Sequence, residues 1–287
     1  MRVSNPDKVF WPDEGYTKLD LARYYAAVFG KLEPYVSGRM LTMERCPDGM
    51  LGECFYQKQA PKGLPAATPT QIIRHANRNV RYIVGGALET QLELVNLGCI
   101  AVHVWSSRAA HPRQPDWMVF DLDPGSGEFA DAAEAGLLVK EALDQLDLTS
   151  FPKTSGSRGL HVFVPIVVGP DCDDVLAFAK AVCERVAAAH PSVVTVEPRI
   201  EARGDRVYLD PFRNSFGATV AAPYSVRRRA KAPFSMPLLW PEVKPTLVPS
   251  DYNLGNYEKR LAGHDPWEDF FHSRQSIEKA SRVLQRI

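Results

Sequence analysis

Several features that define whole classes of protein are missing from this chain of 287 residues. The amino terminus contains no apolar run resembling a signal peptide, and nowhere do about 18 apolar residues occur together, so we expect no secretion signal and no membrane-spanning helix. The formal net charge is zero, with 34 basic and 34 acidic residues. Any contact with nucleic acid must therefore come from local clusters of basic residues and not from the average charge.

Cysteine is scarce as well, and it is not arranged in CxxC pairs. An odd number of scattered cysteines argues against a structural zinc site and favours free buried thiols in a reducing cytoplasm. The five cysteines are Cys46, Cys54, Cys99, Cys172 and Cys183.

The apolar pattern predicts an α+β fold with a mixed or antiparallel central sheet flanked by helices. Thr17 is suited to cap a helix that runs until Pro34, and further helices are indicated at 87–97, 130–146 and 175–190. Strand patterns occur at 40–45, 55–58, 80–84, 100–105, 117–123, 151–155, 160–165, 207–210 and 218–222.

We interpret residues 1–287 as a single domain whose two lobes form a cleft. The amino-terminal lobe covers about 1–110 and the catalytic lobe about 111–230. A segment rich in proline and charge follows at 227–249, and a polar helical stretch covers 273–286. We expect this arm and helix to pack back on the core.

The sharpest local signal is the apolar strand at 117–124, which ends in Asp121 and Asp123. Residues two apart in a strand share a face, so the two carboxylates should point together and repel each other unless a cation offsets their charge. Asp210 ends a second strand and could supply a third carboxylate. Three such oxygen donors suit Mg²⁺ or Mn²⁺ and the two-metal scheme of phosphoryl transfer. Solvated aspartates at two strand ends are the alternative.

Two basic segments could bind phosphate. The loop KTSGSRGLH at 153–161 combines glycines, hydroxyls, Arg158 and His161, as an anion-binding loop does, although the Walker A spacing is missing. The segment APYSVRRR at 222–229 contains three consecutive arginines that could neutralise a triphosphate. A glycine-serine hairpin and a solvated basic turn are the respective alternatives.

These motifs resemble the polymerase domain of bacterial DNA ligase D, a branch of the archaeo-eukaryotic primase superfamily. Six segments occur in that family's order along nearly the whole chain. They are NPDKVFWP near the start, RCPDG at 45–49, CFYQKQAP at 54–61, VFDLDP at 119–124, KTSGSRGLH at 153–161, and YLDPFRN through APYSVR at 208–227.

The resemblance implies roles for individual residues. It implies that Asp121, Asp123 and Asp210 bind two catalytic divalent cations, Mn²⁺ or Mg²⁺. The implied nucleotide-binding residues are His103, Ser155, Arg158, His161, Arg213 and Arg227. The implied DNA-binding residues are Lys8 and Lys18, which would grip a 5′-phosphate, and Phe55 and Tyr56, which would stack on template bases. Relatives often have lysine at the position of Arg158, so the charge is retained here while the phosphate-binding geometry changes. Some relatives have phenylalanine at the position of Tyr56, so stacking is retained and the hydroxyl adds hydrogen bonding.

The resemblance further implies a primer-extending or gap-filling enzyme of non-homologous end joining that prefers ribonucleotides. Its implied partners are nucleoside triphosphates and gapped or broken double-stranded DNA with a 5′-phosphate. Either the protein works with Ku and a separate DNA ligase, or the chain is one module of a larger protein. We expect it in the bacterial cytoplasm, associated with the nucleoid. A scaffold that binds DNA ends without catalysis and a primase that starts strands de novo are the alternatives, and a metal-dependent nuclease would have less need of a triphosphate-sized basic pocket.

Overall fold

Two large β-sheets organise the chain into an α+β fold. The computed structural model describes residues 2–284 and divides them into two units. The first unit comprises the chain up to Ala110 with Thr219–Ser235 and Ser250–Gly263. The second comprises His111–Ala218, Met236–Pro249 and the chain from His264.

The helices and strands are as follows, in chain order: β1 (Val9–Trp11), β2 (Tyr16–Thr17), α1 (Lys18–Val36), β3 (Met40–Arg45), β4 (Phe55–Gln57), β5 (Thr70–Arg74), β6 (Asn79–Val84), α2 (Leu88–Asn96), β7 (Cys99–Val104), β8 (Trp117–Pro124), α3 (Phe129–Gln145), β9 (Phe151–Thr154), β10 (Leu160–Pro165), α4 (Cys172–Ala189), β11 (Val194–Thr195), α5 (Ile200–Arg203), β12 (Val207–Asp210), β13 (Val220–Ala221), α6 (Tyr257–Leu261) and α7 (Ile277–Leu284). Short 3₁₀ helices lie at Phe212–Asn214, Trp240–Glu242 and Pro249–Asp251. The last two residues of the helical stretch expected at 273–286 lie outside the described residues.

The first unit is built on a six-stranded sheet in the order β13-β7-β3-β6-β5, with β4 paired to β3. Helix α1 begins as the sequence predicts, because Thr17 and Asp20 form a reciprocal capping box. The helix ends two residues later than predicted, at Val36. Pro34 is tolerated because it lies in the last turn and removes a single helical hydrogen bond.

The expectation that all five cysteines are free thiols is wrong for two of them. Cys46 and Cys54 form a disulfide, whereas the other three, Cys99, Cys172 and Cys183, are free and buried. The pairing of β3 with β4 explains this bond. Arg45 stands opposite Phe55, so the cysteines next to them meet at the neck of the hairpin, with their Cα atoms 4.4 Å apart.

The second unit contains a five-stranded sheet in the order β11-β12-β8-β10-β9, with β8 antiparallel to both of its neighbours. Helix α3 covers one face. Gly136 of that helix lies so close to Leu160 and Leu122 that a Cβ atom at this position would collide with the Leu160 side chain. Leu122 is fully buried, so the residues that alternate with it on β8 must project from the opposite face.

That opposite face is divided into an aromatic half and a polar half. Trp267 and Phe270 stack on each other with ring centroids 4.9 Å apart, and they pack against Phe163 of β10. Trp117 at the start of β8 joins this cluster. The aromatic side chains therefore fill the end of the sheet where β8 begins, and polar residues occupy the end where β8 terminates.

None of the helices within residues 2–284 has both the length and the apolar character that crossing a bilayer requires.

Candidate active site

Three aspartates meet on the polar half of the second unit's sheet. Asp121 and Asp123 lie on β8 with the buried Leu122 between them, as the alternation predicts. Strand β12 pairs with β8 so that Asp210 stands directly opposite Asp121, and Tyr208 opposite Asp123. Directly opposed residues share a face of the sheet. The register therefore brings the third carboxylate beside the first two.

A row of polar side chains extends from these aspartates across four strands. His161 of β10 stands opposite Asp121, and Lys153 of β9 stands opposite His161. The His161 Nε2 atom is 3.1 Å from Oδ1 of Asp121. The Lys153 Nζ atom is 2.8 Å from Nδ1 of His161. Together with Asp210, these residues form a continuous line at one level of the sheet.

Arg213 closes the acidic end of this row. Its Nε atom donates to Oδ2 of Asp121 at 2.8 Å and lies 3.5 Å from Oδ2 of Asp210. The 3₁₀ turn after β12 places it there, and Asp210 Oδ1 accepts a hydrogen bond of 2.8 Å from the Phe212 backbone N–H in the same turn. The guanidinium therefore offsets part of the charge of two neighbouring carboxylates.

The carboxylates differ in their protonation behaviour. Burial by itself would raise the pKa of Asp121, but the interactions with His161 and Arg213 outweigh it and hold that pKa well below its usual range. The charge of Asp121, followed by burial, raises the pKa of Asp123 to about 7. Burial raises the pKa of Asp210 as well. The site thus has more negative charge than its own cations balance.

The loop between β9 and β10 lies beside the aspartates and is held by Ser155. The Ser155 hydroxyl accepts hydrogen bonds from the backbone N–H groups of Ser157 at 3.2 Å and Gly159 at 3.1 Å. Gly159 packs tightly on β8, because a Cβ atom there would lie 2.5 Å from the Leu122 carbonyl oxygen. Arg158 places its guanidinium against Gly127 in the loop after β8.

The structure therefore gathers seven of the thirteen sequence-derived site residues in the second unit. They are Asp121, Asp123, Ser155, Arg158, His161, Asp210 and Arg213. The remaining six belong to the first unit. They are Lys8, Lys18, Phe55, Tyr56, His103 and Arg227.

In the first unit, Tyr56 of β4 and His103 of β7 contact each other across β3, with which both strands pair. The Tyr56 ring meets the His103 ring edge to face, with centroids 5.3 Å apart. His103 is 8% exposed, whereas Tyr56 is 60% exposed and Phe55 is 42% exposed. The two aromatic residues of β4 therefore present large apolar surfaces to solvent beside a nearly buried imidazole.

Lys8 and Lys18 lie together in the same unit. The backbone N–H of Lys18 donates to the carbonyl of Lys8 at 2.8 Å. Burial and then the charge of Lys8 lower the pKa of Lys18, whose ammonium donates to the Asn96 carbonyl at 2.9 Å. The Lys8 ammonium forms an ion pair of 2.6 Å with Asp48. The charge of Lys8 thus acts unfavourably on Lys18, and an anionic ligand beside the two lysines would relieve that repulsion.

Arg227 lies in the basic segment after β13, where its backbone N–H donates to the Pro233 carbonyl at 2.7 Å. The next residue, Arg228, forms an ion pair of 3.0 Å with the buried Glu44 of β3. No local sequence pattern predicts this ion pair, because Arg228 and Glu44 are far apart in the chain.

Two further residues near the aspartates are absent from the sequence-derived set. The Arg203 guanidinium carbon lies 3.9 Å from the centroid of the Tyr208 ring, on the strand that carries Asp210. Lys153 is fully buried beside His161. The alternation of the strand at 151–155 predicts which face of that strand Lys153 occupies. It does not predict that the strand pairs with β10, so the position of Lys153 beside His161 could not be predicted from the sequence.

A second acidic group lies elsewhere in the second unit. Asp171, Cys172 and Asp173 at the start of α4 are the group of three within residues 2–284 whose ligand atoms all lie within 4.8 Å of one another. Arg113 pairs with Asp171 at 2.7 Å and with Asp173 at 2.9 Å, so a single guanidinium already offsets part of their charge. The carboxylate oxygens of the three sheet aspartates do not all lie within 4.8 Å of one another, so these residues do not form a single three-ligand site.

Comparisons with known proteins point to one family. The model of the LigD primase-polymerase domain matches residues 17–267. The multifunctional non-homologous end joining protein LigD of Pseudomonas aeruginosa is 33% identical, over 98% of this chain and 34% of that protein. The LigD protein of Mycolicibacterium smegmatis is 31% identical, over 85% of this chain and 32% of its own length. This chain thus spans about a third of these relatives.

A solved structure agrees with the sequence comparisons. The polymerase domain from Mycobacterium tuberculosis ligase D, in complex with DNA, superposes with a TM-score of 0.90 at 29% identity. The match covers 96% of this chain and 99% of that one. The α+β fold is therefore shared over almost the entire length of both.

Proposed function

Because this chain belongs to the LigD primase-polymerase family, we propose that it is a metal-dependent nucleotidyltransferase that extends primers or fills gaps at DNA breaks during non-homologous end joining. The observation that carries this proposal is the register of β8 and β12. It places Asp210 opposite Asp121 and on the same face as Asp123.

The aspartates fit the metal chemistry that such a reaction needs. They offer hard oxygen donors, as Mn²⁺ and Mg²⁺ prefer, and they carry more charge than the single guanidinium of Arg213 balances. When bound, two divalent cations would activate the primer 3′-hydroxyl and stabilise the departing pyrophosphate. Because the three carboxylates are spaced too widely for one ion, they would be divided between two ions.

The surrounding residues supply nucleotide binding. Arg213, already between two carboxylates, would also neutralise the triphosphate. The family resemblance assigns His161 to the nucleotide site as well, and its imidazole lies on the same face beside Asp121. Ser155 holds the loop that carries Arg158, so its role includes shaping the loop. For His103 and Arg227, which belong to the first unit, contacts with the nucleotide sugar and phosphates are proposed from the family resemblance alone.

The DNA contacts are assigned to the first unit. Lys8 and Lys18 would bind the 5′-phosphate beyond the gap, and the exposed rings of Phe55 and Tyr56 would stack on template bases. The solved relative bound to DNA supports DNA as the partner. A preference for ribonucleotides and Mn²⁺, and cooperation with Ku and a DNA ligase activity, are part of the same proposal.

A primer-extension assay tests this function. The substrate is a gapped duplex with a 5′-phosphate, supplied with nucleoside triphosphates and Mn²⁺. The rate should fall at least about 100-fold in Asp121→Asn and in Asp123→Asn, because each change removes a charged ligand. Asp147→Asn, at an exposed surface ion pair with Lys279, is the matched control and should keep full activity. Full activity of both site variants would contradict the proposal.

A further inference from the structure

A lysine is buried completely in the second unit's sheet. Lys153 of β9 is 0% exposed, and its ammonium lies 5.4 Å from the centroid of the Phe163 ring. Burial of an ammonium group is costly, and an apolar side chain of similar length would fill the same space without that cost. A purely structural requirement at this position would thus be met better by methionine or leucine.

The surroundings of Lys153 indicate what its charge contacts. The Nζ atom is 2.8 Å from Nδ1 of His161, and the opposite side of that imidazole places Nε2 3.1 Å from Oδ1 of Asp121. The three residues stand opposite one another on adjacent antiparallel strands. Their spacing is therefore set by the sheet itself and not by flexible loops.

We propose that Lys153 is a positioning residue that acts on the aspartate site through His161. An ammonium group can only donate a hydrogen bond, so the Nδ1 atom of His161 accepts and the ring proton resides on Nε2. The imidazole then donates to Asp121, whose second oxygen accepts from Arg213 at 2.8 Å. Lys153 thereby selects one tautomer and fixes the orientation of the Asp121 carboxylate.

The expected effect of Lys153 on catalysis rests on the proposed function. The tautomer of His161, in contrast, can be measured without any reaction. The partner that orients a ligand-binding histidine commonly affects affinity or activity by about 10-fold to 100-fold. We therefore expect Lys153→Met to raise the KM for nucleoside triphosphate by about 10-fold or more, with the KM for the primer unchanged.

The decisive test is nuclear magnetic resonance of the protein labelled with ¹⁵N-histidine, at about pH 8 without metal, where an unperturbed histidine is neutral. His161→Asn identifies the ring signals of residue 161. In the wild-type protein these signals should show hydrogen on Nε2 and none on Nδ1. In Lys153→Met the single tautomer should be lost, whereas Lys279→Met, at an exposed lysine of α7, should leave the signals unchanged.

Hydrogen on Nδ1 of His161 in the wild-type protein overturns the proposal, and so does an unchanged tautomer in Lys153→Met. If Lys153→Met does not fold, the wild-type spectrum still decides. If the His161 tautomers are as expected but the protein extends no primer, the proposed function is refuted, whereas the role of Lys153 towards His161 stands.

Discussion

Asp210 stands directly opposite Asp121 in the antiparallel pair formed by β12 and β8. The Arg213 Nε atom lies 2.8 Å from Oδ2 of Asp121 and 3.5 Å from Oδ2 of Asp210. Two carboxylates held this close by backbone pairing cannot separate to relieve their repulsion. The Arg213 guanidinium offsets part of it and His161 lies within hydrogen-bonding distance of Asp121, and a pair of divalent cations would balance the remaining charge.

Binding of Mn²⁺ is expected to weaken as the pH falls. The charge of Asp121, together with burial, raises the pKa of Asp123 to about 7, so this carboxyl is mostly ionised at about pH 8 and mostly protonated at about pH 6. A cation must displace that proton, and its affinity should therefore drop about tenfold over this interval. Titration calorimetry at both pH values measures the drop. In Asp123→Asn the drop should shrink, and equal wild-type affinities would contradict this account.

Gly159→Ala is expected to destabilise the second unit. The added methyl group would lie 2.5 Å from the Leu122 carbonyl oxygen, and backbone atoms of a central strand cannot move away easily. The free energy of unfolding, measured by urea denaturation, should fall by about 1–3 kcal/mol. Gly169→Ala is the matched control, because a Cβ atom at Gly169 meets nothing within 4 Å. Similar stabilities of the two variants would show that the loop does not pack on β8 as described.

Tyr56→Ala is expected to weaken binding of a template strand. The ring is 60% exposed and its edge-to-face contact with His103 holds it at a fixed angle. Loss of one stacking platform costs about 1–3 kcal/mol, which corresponds to roughly 5-fold to 150-fold weaker binding. Fluorescence anisotropy with a labelled gapped duplex measures the effect. Tyr56→Phe retains the ring face and should bind like the wild type, and a loss in both variants would assign the effect to the hydroxyl.

Cys54→Ser is expected to lower the free energy of unfolding under non-reducing conditions. The disulfide closes a loop with a sequence separation of 8 residues, and a cross-link of this length restricts the unfolded chain by about 2.5 kcal/mol. Urea denaturation with and without a reductant measures the difference, which should be present in the wild type and absent in the variant. Alkylation should label three thiols in the unreduced, unfolded wild type, and five labelled thiols would rule out the bond.

Much of the fold could be predicted because its signals are local. The capping box at Thr17 depends on Asp20, three residues away, and the common face of Asp121 and Asp123 follows from their spacing of two within one strand. The six short motifs that resemble DNA ligase D led to the same family that the comparisons identify. The disulfide was missed because the two cysteines become neighbours through the pairing of β3 with β4, which is not visible in their spacing.

The amino-acid sequence by itself determined which residues carry the chemistry and which face of its own strand each one occupies, since alternation is a property of a single extended chain. Only the tertiary structure decided that β12 and β10 flank β8, in a register that aligns Asp210, Asp121, His161 and Lys153 in one row. Strand order and register are set by the joint burial of side chains distant in sequence, such as Leu122, Leu160 and Gly136. For that reason the buried lysine beside His161 became apparent only in the folded sheet.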